Sequence, residues 1–153
     1  MSTLNGFSPQ PKPEKKEKPK NPIAKVSSKK KFRCSDGEMV SQQQINARLT
    51  QAYKMARPLG ICECCGLNPA TEHDHTLSKQ KCKENGMTEL IHDESNWSNS
   101  CRGCHIEWGH LSKAMEEHKN FVPRMLFLKQ VDREEFEKRK AKVSNYLVLE
   151  AIG

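Results

Sequence analysis

Apolar positions along the chain are sparse, and they gather into short stripes at helical spacing rather than long runs. In residues 40–55, Ile45, Leu49, Ala52 and Tyr53 fall on one face of a helix, which Pro58 and Gly60 then end. Ahead of it, Cys34-Ser35-Asp36-Gly37 reads as a turn. A second helix is predicted from about residue 104 to 118, before Asn120 and Pro123 interrupt it. Residues 122–130 predict a short apolar helix, and residues 132–149 a longer one with a charged outer face. Asp132 is its predicted N-cap, with Glu135 at the capping-box position three residues on. Pro9, Pro11, Pro13, Pro19 and Pro22 alternate with lysines near the N-terminus, where few apolar residues could be buried, so disorder is expected there.

Composition limits what these elements can build. With 153 residues and 35% hydrophobic content, the chain can form one modest domain, but its apolar residues cannot supply a core along the whole length. A metal or disulfides must help offset the entropy of folding, and the seven cysteines are the obvious means. The first 33 residues are charged and proline-rich where a secretory signal would be apolar, and no stretch reaches membrane-spanning length. The expectation is a cytoplasmic setting (the host cytoplasm, for a phage-encoded chain), where paired cysteines bind metal more often than they bridge.

Charge adds a direction. The formal net charge is +7, and residues 1–33 hold ten Lys or Arg against two Glu, leaving the remainder close to neutral. A basic arm of this kind can neutralise backbone phosphates through counterion release, or it can serve only as a solubilising tail.

The strongest chemical signal is Cys62-Glu63-Cys64-Cys65 followed, after 35 intervening residues, by Cys101-Arg102-Gly103-Cys104. Two pairs with two intervening residues each provide the four thiolates of a tetrahedral structural zinc site, here Cys62, Cys65, Cys101 and Cys104. Cys64, Cys34 and Cys82 are rival ligands, and the two-residue gap favours Cys62 with Cys65. A zinc ribbon without chemistry would satisfy this pattern equally well.

The residues around the second half of that frame suit phosphodiester hydrolysis: Glu72-His73-Asp74-His75, then Asn96, then His105 directly after the second pair. Hydrolysis needs a base to deprotonate water and a cation to offset developing charge on phosphorus and the departing oxygen. At these positions the chain resembles the HNH endonucleases of the ββα-metal (His-Me finger) superfamily. Asp74-His75 matches the Asp-His pair of the first strand, Asn96 the Asn five residues before a Cys-x-x-Cys, and His105 the His after it. His73-Asp74-His75 with four cysteines is also similar to the phage junction-resolving endonucleases of that superfamily. The resemblance covers residues 61–112, and the proline that often follows the Asp-His pair is replaced by Thr76-Leu77-Ser78.

The resemblance implies that His75 is the general base, that Asp74 and His105 hold a catalytic divalent ion such as Mg²⁺, and that Asn96 orients the His75 imidazole. Asn99 rivals Asn96, since only spacing separates them. It also implies a 5′-phosphate product and a helix from His105 lying in the DNA minor groove. Adjacent strand residues face opposite sides, so an irregular backbone is expected at Asp74-His75 if both serve one site. Lys79, Lys81 and Lys83 in the hairpin loop are candidate nucleic-acid contacts, and a solvated lysine-rich loop is the alternative.

The expected architecture is therefore α+β. It comprises a disordered basic arm (1–33), a supporting helix (34–60), a zinc-stapled ββα nuclease core (61–118) and a helical C-terminal extension (119–153). The expected activity is metal-dependent cleavage of duplex or branched DNA, with a homodimer needed to cut both strands. The rivals are a zinc-containing protein that binds nucleic acid without cutting it, and an adaptor that docks a protein through its C-terminal helices.

Overall fold

The computed structural model describes residues 30–153 and, outside that span, Pro11 alone; the arm expected before residue 30 lies outside the described residues. The last three residues assigned to that arm form a strand, β1 (Lys31–Arg33), paired antiparallel with β2 (Met39–Ser41). The predicted turn joins them. Gly37 N donates to Cys34 O at 3.0 Å, the Asp36 carboxylate accepts from Glu38 N at 2.8 Å, and Gly37 sits at φ +91°, a conformation that favours glycine.

The first predicted helix is α1 (Gln42–Met55), and a capping box sets its start. Ser41 Oγ accepts from Gln44 N at 3.2 Å while Gln44 Oε1 accepts from Ser41 N at 2.8 Å. Ile45 and Leu49 of the apolar stripe are buried.

Past the first cysteine pair, β3 (Glu72–His75) pairs antiparallel with β4 (Trp97–Ser100), in the register Glu72 to Ser100 through His75 to Trp97. The connection between these strands is not all loop. It holds α2 (Lys79–Glu84), which Ser78 caps by accepting from Lys81 N, and two 3₁₀ turns, Thr88–His92 and Glu94–Asn96. A third helix, α3 (Arg102–Gly109), follows β4 at once, so the chain runs strand, strand, helix around the cysteine pairs.

Two helical expectations need correction. The second predicted helix ends at Gly109 rather than residue 118, because Leu111 takes a left-handed φ of +50° and Ser112 caps a separate 3₁₀ turn, Lys113–Glu117. The apolar helix appears as α4 (Phe121–Val131), but residues 132–149 form two helices, α5 (Arg133–Lys140) and α6 (Tyr146–Ile152). Asp132 caps α5 as predicted, accepting from Glu135 N at 2.9 Å, whereas the Glu135 carboxylate holds Arg139 instead of returning the bond. The break before α6 is held by Glu116, whose carboxylate accepts from Ser144 N and Asn145 N, and by Asn145, which caps α6 through Leu147 N.

One apolar cluster joins these parts. Ile45 from α1, Leu77 and Ile91 from the inter-strand segment, Trp108 from α3, Phe121 and Met125 from α4, Phe136 from α5 and Ile152 from α6 are all buried in it. The C-terminal helices thus share a core with the hairpin rather than extending from it. Among the described residues no helix is long and apolar enough to cross a membrane.

Candidate functional site

The four predicted zinc ligands come together. Ligand sulfurs of Cys62, Cys65, Cys101 and Cys104 all lie within 4.8 Å of one another, against about 3.8 Å between sulfurs around a tetrahedral zinc with bonds near 2.3 Å. The first pair sits on a tight turn in which Gly66 N donates to Cys62 O at 2.9 Å, and Gly66 takes φ +67°. A side chain there would also strike Lys119. The second pair straddles the start of α3, with Cys101 as its N-cap residue. Burial raises the Cys62 thiol, but hydrogen bonds from the backbone of Cys101, Cys65 and Cys64 outweigh it and bring the thiol down to about 6, toward the thiolate a metal needs.

The rival cysteines stand elsewhere. Cys64 is buried facing Ser100 Oγ at 3.3 Å and Arg124 Nη1 at 3.9 Å. Cys82 packs in α2, where Asn96 Nδ2 lies 3.7 Å from its sulfur, and Cys34 belongs to the first turn.

On the face of β3 that meets α3, Asp74 Oδ1 and Glu72 Oε2 lie 3.2 and 3.0 Å from His105 Nδ1. Neither contact has hydrogen-bond geometry, so Nδ1 is a buried nitrogen without a hydrogen-bond partner beside two carboxylates. Such a donor set suits a divalent cation. Glu72, Asp74 and His105 do not close as a trio within 4.8 Å, so Asp74 and His105 are the pair best placed to ligate, with Glu72 beside them. Sequence reasoning left Glu72 without a role, although strand alternation puts it on the face of Asp74.

Asp74 is held from behind by Arg124 of α4, a residue the sequence did not single out. Arg124 Nη2 lies 3.1 Å from Asp74 Oδ2, its Nε donates to Thr76 Oγ1 at 2.9 Å, and its guanidinium stacks 3.8 Å from the Trp108 ring centre. Burial pushes the Asp74 carboxyl up against the pull of Arg124 and His105, and burial likewise lowers the Arg124 guanidinium. Arg139 of α5 stacks on the same indole at 3.9 Å and donates to the Trp108 carbonyl. Trp108 and Trp97 are thus buried packing residues, as expected.

His75 occupies the other side of β3, against Trp97. Its Nε2 contacts the Ile91 carbonyl at 2.7 Å, and a carbonyl only accepts, so Nε2 carries the proton. Nδ1 keeps its lone pair and has no hydrogen-bond partner among the described residues. Burial lowers the imidazole to about 4, against the raising effect of Ile91. The ring is therefore neutral at physiological pH, the state a base requires.

The role expected for Asn96 is corrected. Its Oδ1 accepts from Leu77 N at 2.7 Å and its Nδ2 donates to Leu77 O and Leu90 O, so it braces the backbone beyond His75, while the Ile91 carbonyl orients the ring. Asn99, itself buried, contacts His73 Nδ1 and donates to Pro58 O. The irregular backbone expected at Asp74-His75 is absent, since both residues keep strand register. His75 ends the strand, and Asp74, His75 and His105 all line a single cleft of about 570 Å³ that runs past that end.

Lys79 and Lys81 line this cleft, joined by Lys138 and Arg139 from α5. Lys83 does not; its Nζ donates to Gln42 Oε1 and lies 4.6 Å from the Phe32 ring centre, because Lys83 faces the first hairpin. No family model, curated protein or solved structure matches the chain.

Proposed function

We propose that the chain is a metal-dependent DNA endonuclease of the HNH type, with His75 as general base and Asp74 and His105 as the holders of a hard divalent ion such as Mg²⁺. The observation that carries this reading is that His75, with one ring nitrogen fixed on a carbonyl and the other without a hydrogen-bond partner among the described residues, lines the same cleft as the Asp74–His105 pair.

His75 Nδ1 takes a proton from a water, and the resulting hydroxide attacks phosphorus. The bond to the 3′ oxygen breaks, the 5′ phosphate remains on one fragment, and the 3′ oxygen takes a proton from solvent. When bound, the divalent ion supplies Lewis-acid stabilisation of charge on the phosphoryl and departing oxygens. Lys79, Lys81 and Lys138 supply positive charge for the flanking phosphates. Asn96 and Ile91 keep the base in place, and the four-cysteine site holds α3 against the hairpin.

The test is incubation of the full chain with supercoiled plasmid and with a synthetic four-way junction, with and without Mg²⁺, beside His75→Ala. The expected result is Mg²⁺-dependent nicking that His75→Ala lowers by about 10²- to 10⁴-fold, with DNA affinity and zinc content retained. A wild-type chain that binds DNA but never cuts it with Mg²⁺ or Mn²⁺ is a binding protein, and the reading fails.

A further inference from the structure

A second cluster of metal-ligating groups adjoins the four cysteines. Cys104 Sγ, a carboxylate oxygen of Glu107 and a ring nitrogen of His118 also lie within 4.8 Å of one another. Cys104 and Glu107 sit one turn apart on α3, and His118 follows the Lys113–Glu117 turn. A backbone bond pins His118's neighbour to the first cysteine turn, Lys119 N donating to Cys64 O at 2.8 Å. Cys65, Cys101, Cys104, Glu107 and His118 line a common cavity of about 360 Å³.

His118 is 8% exposed, and its Nε2 lies 2.6 Å from Glu107 Oε2. Nε2 is therefore the ring nitrogen that meets Glu107, and an ion held by the two side chains would take the place of the proton they now share. Nδ1, on the far side of the ring, is buried and has no hydrogen-bond partner among the described residues. Charge argues in the same direction, because four thiolates around one Zn²⁺ leave a net charge of −2 that a second cation would offset. One sulfur, one nitrogen and one oxygen ligand form a donor set that zinc accepts, with water in the fourth position.

The geometry points to a second zinc-class ion held by Cys104, Glu107 and His118 and bridged to the first through the Cys104 thiolate. The inference stands apart from the nuclease reading, since it uses none of Asp74, His75 and His105 and needs no catalysis.

The experiment loads the full chain with excess Zn²⁺, removes free metal by gel filtration, and measures zinc per chain by mass spectrometry, with a parallel Co²⁺ titration followed by visible absorption. In a His105→Ala background, which removes the Asp74–His105 site, the chain should hold two ions and show two Co²⁺ steps. Adding His118→Ala or Glu107→Gln should leave one ion and lose the second step. A His105→Ala chain that saturates at one ion, or further variants that still hold two, would overturn the inference. The stoichiometry of the His105→Ala chain decides the matter even if a further variant folds poorly.

Discussion

Arg124 reaches fifty residues back along the chain to Asp74, placing Nη2 3.1 Å from Oδ2 with both side chains buried. The pair ties α4 to the strand that carries the candidate site, and Arg124 also engages Thr76 and Trp108. Arg124→Ala leaves a buried carboxylate without its counter-charge, a loss that typically destabilises by about 3–5 kcal/mol. Urea denaturation should show it. Arg124→Ala together with Asp74→Ala should cost clearly less than the two single changes added, because the orphaned charge is gone.

The four-cysteine site makes a sharper prediction about neighbours in sequence. Cys62→Ser, Cys65→Ser and Cys101→Ser should each strip the core metal and loosen the fold, and a strong chelator should do the same to the wild type. Cys64→Ser should keep the metal, since Cys64 faces Ser100 and Arg124 instead. Zinc content by mass spectrometry and far-UV circular dichroism measure both outcomes.

These cases show which parts were legible in advance. The zinc ligands, α1, α4 and the Asp132 cap rest on spacings within one or two turns of chain, and such spacings survive folding unchanged. Arg124 and Arg139 were invisible because their partners lie 50 and 31 residues away, and a lone arginine in a helix carries no mark of what it will meet. The helix α2 left readable signals that were passed over: Ser78 as cap, and Asn85-Gly86 at its end with Gly86 at φ +66°. The role of Asn96 could not have been read from spacing, because the Ile91 carbonyl that orients His75 belongs to a 3₁₀ turn whose path depends on the core.

Asp132 offers a test of pH dependence away from any metal. Burial raises its carboxyl, but hydrogen bonds from Glu135 N and Asn85 Nδ2 outweigh it and hold the group below its ordinary 3.8. A carboxyl with a lowered folded value favours the native state most when ionised. Its contribution is therefore full above about pH 3.8 and is lost as pH falls through the folded value. Asp132→Asn keeps a capping oxygen but not the charge. The wild type should be the more stable at pH 7, and the gap should narrow as pH falls below 3.8 in urea titrations.

The cleft itself separates lysines that the sequence grouped together. Lys79 and Lys81 line it beside His75 and His105, whereas Lys83 is spent on Gln42 and Phe32. Each phosphate contact removed should flatten the slope of log affinity against log salt by about 0.9 for duplex DNA. Lys79→Ala and Lys81→Ala are thus expected to weaken binding at low salt and reduce that slope, and Lys83→Ala to leave both unchanged. Fluorescence anisotropy with a labelled duplex between low and moderate salt reads the difference. Equal effects from all three would mean that the lysines act as a diffuse positive loop and that DNA does not enter the cleft.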